Sequence, residues 1–315
     1  GMKRTGIQAF SPCSITAERM KYKMNRQQPN INTPAGFPEQ HQNLQPGSQK
    51  DMNPKPVTED PSYRGSGKLD GLVAIVTGGD SGIGQAVATA FAKEGADIVV
   101  PFYSQQPDAD ETVQMVKAAG RRCVLVKCDL KKEESAMQVV DTAVREFGHI
   151  DVLVNNIAVQ YPQNSIEDIT AQQLTNTFAT NVFSFFYMIR ATLPHLNPGA
   201  SIINTASVTA YKGSLTLIDY SATKGAIVAL TRSLALSLAA RKIRVNAVAP
   251  GPVWTPLIVS SFSEQEVAKF GTDVPMGRAA QPAELAPAYV YLAGKDSSYV
   301  TGQVLHVNGG VITES

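Results

Sequence analysis

TGGDSGIG, residues 77–84, holds four glycines in eight positions and joins two unlike kinds of sequence. Before it runs the apolar stretch Leu72-Val73-Ala74-Ile75-Val76; beyond it, Ala86-Val87-Ala88-Thr89-Ala90-Phe91-Ala92 reads as the body of a helix. Glycines alone mark an ordinary turn as readily as a ligand loop. A strand that ends in glycines and feeds a helix has a more definite task. Amides in the first turn of a helix lack intrahelical partners, and the helix dipole favours an anion beside them. Gly78, Gly82 and Gly84 let a pyrophosphate approach that backbone with no Cβ in the way. The bland alternative is a strand-to-helix turn with no ligand, and the rest of the chain has to decide.

The alternation of strand and helix continues to the C-terminus. Short apolar, β-branched runs at 72–77, 97–102, 122–127, 151–155, 200–205, 243–248 and 303–307 read as strands. Between them lie helical periods such as 133–147, with apolar residues at 136, 137, 140, 143, 144 and 147. Strands apolar on both faces and separated by helices predict a parallel sheet covered on both sides. With right-handed crossovers this is an α/β, doubly wound, Rossmann-like sheet, which takes its ligands at the carboxyl ends of the strands.

Residues 61–315 are expected to form this single domain, with a lid at about 252–281 where apolar residues and turn formers mix. Residues 1–60 differ: proline, glutamine and asparagine abound and no period of 2 or 3.6 persists. They read as an extended or disordered N-terminal arm. Its end, NPKPVTEDPSYRGSGKLDG at 53–71, reads either as a plain linker or as a segment laid along a partner surface through Tyr63 and Arg64. GSGKL at 65–69 is no P-loop, because Ser62 stands where the first glycine belongs and Leu69 where a magnesium-binding hydroxyl belongs.

Composition removes several classes of function. A net charge of +1, from 28 basic and 27 acidic residues, argues against nucleic acid as the main partner. The four histidines, His41, His149, His195 and His306, are scattered without metal-ligand spacing, so no metal site is expected. Cys13, Cys123 and Cys128 lack CxxC spacing and fit reduced thiols better than a disulfide framework. No apolar run reaches the ~18 residues of a membrane span. The N-terminus lacks the apolar core of a secretory signal, and a cytoplasmic location is expected. Gly1 before Met2 reads as a remnant of tag removal, with Met24 and Met52 as candidate starts.

A second motif supplies chemistry. In YSATK, Tyr220 and Lys224 are four apart at the head of an Ala/Leu-rich helix, which puts both on one face a turn apart. A phenol titrating near ~10 is a poor acid–base catalyst at neutral pH. A neighbouring ammonium is expected to lower it toward the useful range. Alone, YxxxK is common by chance. Here Ser207 ends the strand at 200–206, NNIA at 155–158 ends another at the same edge, and Asp129 ends a third. Asn181 falls within the helical segment 171–190, and NAVAPGPVWTP at 246–256 follows the strand at 243–248.

With these residues in order, the chain resembles the short-chain dehydrogenase/reductase family over about residues 68 to 310, in the branch called glucose/ribitol dehydrogenase-like or general stress proteins. The resemblance implies an NAD(P)-dependent oxidoreductase that moves a hydride between a nicotinamide cofactor and a small alcohol, polyol or carbonyl compound. It implies that Tyr220 is the general acid or base and that Lys224 lowers its pKa and holds the nicotinamide ribose. Ser207 would bond the substrate carbonyl, and Asn181 would anchor a relay water. The glycine loop with Gly78, Asp80, Ser81, Gly82, Ile83 and Gly84 would take the pyrophosphate side, and Phe102 and Tyr103 the adenosine ribose. Asp129 and Leu130 would contact adenine, and Asn155 and Ala158 would line the cofactor cleft. Pro250, Gly251, Val253 and Thr255 would grip the nicotinamide carboxamide. The chain departs from the family pattern at Ile157 and Ala158, where Ala and Gly are usual, and at Asn308, where aspartate is frequent.

NAD is favoured over NADP. The second strand ends in Phe102, Tyr103 and Ser104, neither acidic nor basic, while Asp80-Ser81 puts a carboxylate where a basic residue would serve a 2′-phosphate. Val159, Gln160, Val208, Leu217 and Trp254 join Ser207 as candidate substrate-pocket residues, with plain core packing the alternative for each. The helix after Tyr220 is apolar over more than one face, so it belongs either to the core or to a subunit interface. The resemblance implies a homotetramer, or a dimer. The rival to an enzyme is a non-catalytic dinucleotide-binding redox sensor on the same fold; the presence of Asn181, Ser207, Tyr220 and Lys224 together favours the enzyme.

Overall fold

The structure, a computed structural model, describes residue 31 and residues 33–313; Met24, Cys13 and the first half of the arm lie outside the described residues. Seven strands form one parallel sheet: β1 (Val73–Val76), β2 (Asp97–Phe102), β3 (Cys123–Lys127), β4 (Ile150–Asn155), β5 (Leu196–Thr205), β6 (Arg244–Pro250) and β7 (Val304–Val307). Their order is β3-β2-β1-β4-β5-β6-β7. All seven were legible as apolar runs. β5 begins earlier than expected because Asn197-Pro198-Gly199 reads as a turn, and the β4–β5 register shifts there, between Ile150 and Val152. The chain builds outward from β1 through β2 to β3, then returns to β4 on the other flank. The cleft of a doubly wound sheet opens at that reversal.

The helices are α1 (Gly82–Lys93), α2 (Gln106–Ala118), α3 (Glu133–Phe147), α4 (Ala171–Phe178), α5 (Ser184–Thr192), α6 (Thr209–Lys212), α7 (Ile218–Leu238), α8 (Pro256–Val259), α9 (Glu264–Ala268) and α10 (Pro282–Ala293). They cover both faces of the sheet. Within β1, Ala74 and Val76 enter the core made with α1 and α10, while Ile75 enters the opposite core with α3, α5 and α7. That is why β1 is apolar at every position rather than at alternate ones. The expected helix at 171–190 is interrupted by a π-helical turn, Ala179–Phe183, between α4 and α5. Such turns widen the backbone ladder by one residue and are frequent at functional sites.

Residues 33–60 carry no helix or strand, yet they are packed onto the domain. Phe37 stacks on Trp254 with ring centroids 3.6 Å apart and planes within 5°. Both belong to a small separate core with Met52, Ile258, Val259, Val267 and Ala279. Further along, Val57 N donates to Gln281 Oε1 at 2.9 Å and its carbonyl accepts from Ala283 N at 3.0 Å. The Tyr63 hydroxyl donates to the Glu94 carboxylate, which also accepts from Ser66 N and Lys68 N. The stretch 53–71 is thus laid along its own domain. Trp254 is fully buried between the arm and the rest of segment 252–281, with Nε1 donating to the Pro54 carbonyl at 2.9 Å. This corrects its reading as a substrate-pocket residue: the indole serves packing.

The segment 252–281 holds α8 and α9 and is closed at its base, where Trp254 N donates to Ala280 O and Ala280 N to Pro252 O, each at 2.9 Å. Its inner side packs on the arm through the same small core.

Candidate active site

Beyond β1 the chain turns through the glycine loop into α1. Gly78 (φ +64°) and Gly82 (φ +51°) sit in the left-handed region, which glycine enters without steric cost. A Cβ on Gly84 would lie 2.1 Å from the Gly78 carbonyl oxygen, so the close approach of helix to loop demands glycine there. Gly84 is buried behind the loop and contributes no surface to the cleft wall. Its amide is another matter. Gln85 N is the first in α1 to bond within the helix turn, to Ser81 O at 3.1 Å. Gly82 N donates to Gln49 Oε1 of the arm at 2.8 Å. Among the described residues, the Ile83 and Gly84 amides are the two first-turn donors left for an anion.

A cleft of about 1020 Å³ runs from this loop along the carboxyl ends of the strands. One wall is the glycine loop with Gly78, Asp80, Ser81, Gly82 and Ile83, followed by Phe102 and Tyr103 from β2 and Asp129 and Leu130 after β3. The other carries Ala158, Val159 and Gln160 after β4, then Ser207, Val208, Leu217, Tyr220 and Lys224, and closes with Pro250, Gly251, Val253 and Thr255. Asn155 is not on it. That side chain is fully buried inside the sheet, with Nδ2 donating to Asn204 Oδ1 at 3.0 Å. Its neighbour faces the cleft instead, because successive strand side chains point to opposite faces. Asn156 accepts from Thr205 Oγ1 at 3.2 Å, and its own N donates to Thr77 Oγ1 at 2.8 Å, tying the ends of β1, β4 and β5 together. The unusual Ile157 packs on the loop: its Cγ2 lies 2.9 Å from where a Gly78 Cβ would be.

The catalytic candidates meet at the head of α7. Asp219, buried in the first turn, accepts from Tyr220 N at 2.9 Å and from Thr177 Oγ1 at 2.8 Å, so it fixes the turn that carries Tyr220 to α4. Sequence reading passed over Asp219 because a carboxylate near a helix start is so common. Lys224 is almost wholly buried; its Nζ donates to the Thr205 carbonyl at 2.8 Å and lies 5.6 Å from the Tyr220 ring centre and 5.7 Å from that of Phe185. Ser207 Oγ accepts from Thr209 N and Thr209 Oγ1, at 3.2 and 3.1 Å.

Asn181, in the π turn, sits behind the cleft wall. It exchanges a reciprocal pair with the Val159 backbone, at 2.8 and 2.9 Å, and donates to Thr223 Oγ1 at 3.2 Å. Its side chain therefore couples the loop after β4 to the turn between Tyr220 and Lys224.

Burial sets the electrostatics. It pushes the Tyr220 phenol up to about 12, opposed in part by the Ser207 hydroxyl beside it. The same loss of water brings the Lys224 ammonium down to about 7. Burial thus works against the lowering expected from Lys224, whose ammonium is itself desolvated and donates to a carbonyl. The proton accordingly rests on Tyr220. At the other end, burial raises the Asp80 carboxyl to about 7, its own backbone amide works against that, and Asp108 adds to it. Asp80 is thus a weaker source of negative charge near neutral pH than a surface aspartate. Lys131, absent from the sequence reading, lines the same cleft, 3.8 Å from Asp129 and 6.0 Å from the Tyr103 ring centre. Among the described residues, no three His, Cys, Asp or Glu side chains cluster to hold a metal ion, and no helix is long and apolar enough to cross a membrane.

Comparison with known proteins now bears on this geometry. Residues 78–312 match the family model described as enoyl-(acyl carrier protein) reductase. The chain is 51% identical to the glucose and ribitol dehydrogenase of Daucus carota, covering 88% of this chain and 97% of that one. It is 50% identical to the chloroplastic NADPH-dependent aldehyde reductase 1 of Arabidopsis thaliana, covering 88% and 98%. Among solved structures it superposes on the 3-ketoacyl-(acyl-carrier-protein) reductase of Brucella melitensis, complexed with NADH, with a TM-score of 0.69 and 33% identity, over 77% of this chain and 98% of that one.

The chain belongs to the short-chain dehydrogenase/reductase family and is an NAD(P)-dependent oxidoreductase acting on CH–OH or C=O groups. The two plant proteins match over an extent that cannot begin after Gln45, so the match takes in the packed arm; the bacterial structure is spent on a shorter share of the chain.

Proposed function

We propose that the cleft transfers hydride between a nicotinamide dinucleotide and a small alcohol, polyol or carbonyl compound, with Tyr220 as the acid and base. The observation that carries this is the convergence of Ser207, Tyr220 and Lys224 in the same cleft as the glycine loop. The residues present fit the dinucleotide: the Ile83 and Gly84 amides suit its pyrophosphate, and the cradle at Gly78 and Gly82 excludes side chains. Asp129 and Leu130 would hold adenine, Lys224 the nicotinamide ribose, and Pro250, Gly251, Val253 and Thr255 the carboxamide. When bound, the dinucleotide supplies the hydride donor or acceptor.

Everything else is the chain's own work. Ser207 orients the substrate oxygen beside the Tyr220 hydroxyl. In reduction Tyr220 gives that oxygen its proton; in oxidation it takes the proton back. A phenol that keeps its proton at neutral pH is ready for the reductive direction. Lys224, held by Thr205, fixes the helix face that presents Tyr220, and Asn181 supports the relay by holding the Val159 loop against Thr223. Val159, Gln160, Val208 and Leu217 form the substrate wall. The names of the plant relatives, for glucose and ribitol in one and aldehydes in the other, support a small hydroxyl or carbonyl substrate. The unpaired thiols Cys123 and Cys128 suit the reducing cytoplasm.

The protein works as a homotetramer. Leu174 on α4, Phe183 in the π turn and Phe186 on α5, with Leu236 on α7, leave apolar side chains exposed that a second copy would cover. Static light scattering at micromolar concentration gives four times the chain mass; a monomer contradicts this assembly.

NAD is the favoured cofactor, and the preference depends on pH through Asp80. A carboxyl whose pKa is raised to about 7 is neutral below that pH and charged above it, so its repulsion of a 2′-phosphate grows as pH rises. Lys131 opposes it. The affinity for NADP(H) relative to NAD(H) should fall between about pH 6 and about pH 8, and Asp80→Asn should flatten that change. Fluorescence titration of both reduced dinucleotides measures it; NADPH binding about tenfold tighter than NADH at the higher pH reverses the assignment.

Tyr220→Phe removes only the hydroxyl. It should lower turnover by about a thousandfold while leaving dinucleotide affinity within a factor of about two. Steady-state rates against aldehydes, polyols and sugars, with a binding titration alongside, decide this. Unchanged turnover takes Tyr220 out of the mechanism. Dinucleotide binding with no turnover by the unmodified protein supports the sensor instead.

A further inference from the structure

The arm touches the site at one place, residues 45–49, and the contacts there are not those of a passive wrapper. Gln49 is 3% exposed and both ends of its amide are used. Its Oε1 accepts from Gly82 N at 2.8 Å, and its Nε2 donates to Gln85 Oε1 at 2.7 Å. Gly82 N is the first amide of α1, at the mouth of the glycine loop. An N-cap side chain usually takes the amide of N2 or N3 and leaves the first one to other partners; Ser81 makes no cap bond at all. The cap comes from 33 residues upstream.

Gln85 extends the connection inward. Its Nε2 donates to Thr112 Oγ1 at 2.9 Å and to Asp80 O at 3.2 Å, and Thr112 Oγ1 donates to Gly79 O at 3.0 Å. The backbone of Gly79 and Asp80 thus hangs on a buried network that the arm reaches at Gln85 Oε1, through Gln49 Nε2 and through Thr58 Oγ1, each at 2.7 Å. The arm is anchored to receive this load: Gln49 N and Lys50 N donate to the Asp108 carboxylate on α2, at 2.7 and 3.0 Å.

Four residues before Gln49 the arm crosses to the other side of the cleft. Gln45 Nε2 donates to Gln160 O at 2.7 Å, and Gln160 N donates back to Gln45 Oε1 at 3.2 Å. Between the two glutamines Gly47 passes under the lid so closely that a Cβ would lie 2.7 Å from Pro256 O. Gln45, Pro46 and Gly47 line the cleft itself.

We propose that Gln49 is a cofactor-positioning residue supplied by the N-terminal arm: it sets the glycine loop in its pyrophosphate-receiving shape by capping Gly82, and residues 45–47 complete the cleft wall. By holding Gly82 N, Gln49 also directs an incoming anion to the Ile83 and Gly84 amides. The proposal rests on the dinucleotide reading of the cleft. It assigns to the arm a share of binding that the domain alone would lack.

The test uses the full chain with Gln49→Ala and the near-isosteric Gln49→Met, which keeps volume and loses both hydrogen bonds. Tyr63→Phe, an arm contact remote from the cleft, is the control for general loosening. NADH binding is followed by fluorescence, ADP binding by competition, kinetics by the split between KM for dinucleotide and kcat, and folding by thermal melting. Both Gln49 variants should weaken NADH and ADP alike by about five- to tenfold, the effect of one buried hydrogen bond, with kcat at saturation changed by less than about twofold. ADP is informative because it carries the pyrophosphate and no nicotinamide. Tyr63→Phe should lower the melting temperature without changing either affinity. Gln49 variants that fold and bind ADP as the unmodified protein does overturn the proposal, as does an equal loss of affinity in Tyr63→Phe. An unmodified protein that binds neither NADH nor NADPH overturns the dinucleotide reading itself.

Discussion

Everything in this molecule is arranged around a reversal of direction in a parallel sheet. β1 feeds β2 on one side, and β4 takes its place on the other, so the loops leaving β1 and β4 part company at their carboxyl ends. Two parallel strands with connections diverging above them leave a gap that no side chain of the sheet can fill. The glycine loop occupies one lip and the Ala158–Gln160 loop the other. Asn156 and Thr77 tie the floor together, which makes the gap a cleft of fixed shape. The first amides of α1 then face into it because the helix must start where the strand ends.

The second constraint is desolvation. Tyr220 and Lys224 lie on the first turns of a helix packed against the sheet, and water is excluded from both. The phenol keeps its proton and the ammonium is pressed toward neutrality. Neither group would be useful alone in such a place. Together, with the Thr205 carbonyl and the Ser207 hydroxyl, they form a set whose protonation responds to whatever polar group enters. A buried charge left without partners is costly, and the Thr205 hydrogen bond is what makes Lys224 tolerable where it stands.

The sheet, and the meeting of Tyr220 and Lys224 on one helix face, were legible in the sequence because each rests on local pattern. Apolar runs with β-branched residues marked all seven strands, and YxxxK at helical spacing marked the helix face that lines the cleft. What was not legible depends on contacts far apart in the chain. Nothing in periodicity separates Asn155, turned into the sheet, from Asn156, turned into the cleft; the pleat decides it, and the exact strand phase is needed to count. Trp254 looked like a pocket wall because its partner, Phe37, lies in a segment with no regular pattern. The arm read as extended or disordered for the same reason: no period of 2 or 3.6 runs through it, yet Gln45 and Gln49 bond to backbone across the fold. A segment can be ordered by tertiary hydrogen bonds without any secondary structure of its own. The π turn at Asn181 was likewise hidden, since one extra residue in a helical ladder leaves the apolar stripe almost unchanged.

On the proposed reading, one cleft both holds the dinucleotide and exchanges hydride with a carbonyl compound. The most direct measurement supplies NADH or NADPH carrying deuterium at the nicotinamide carbon that gives up hydride, together with short aldehydes, ketones and open-chain sugars, and follows the products by mass spectrometry and NMR. The account predicts that at least one of these classes is reduced with a single deuterium on the new carbinol carbon, in one stereochemical sense, while the new hydroxyl takes its proton from solvent. Saturable binding of the dinucleotide with no deuterium delivered to any carbonyl carbon would contradict it.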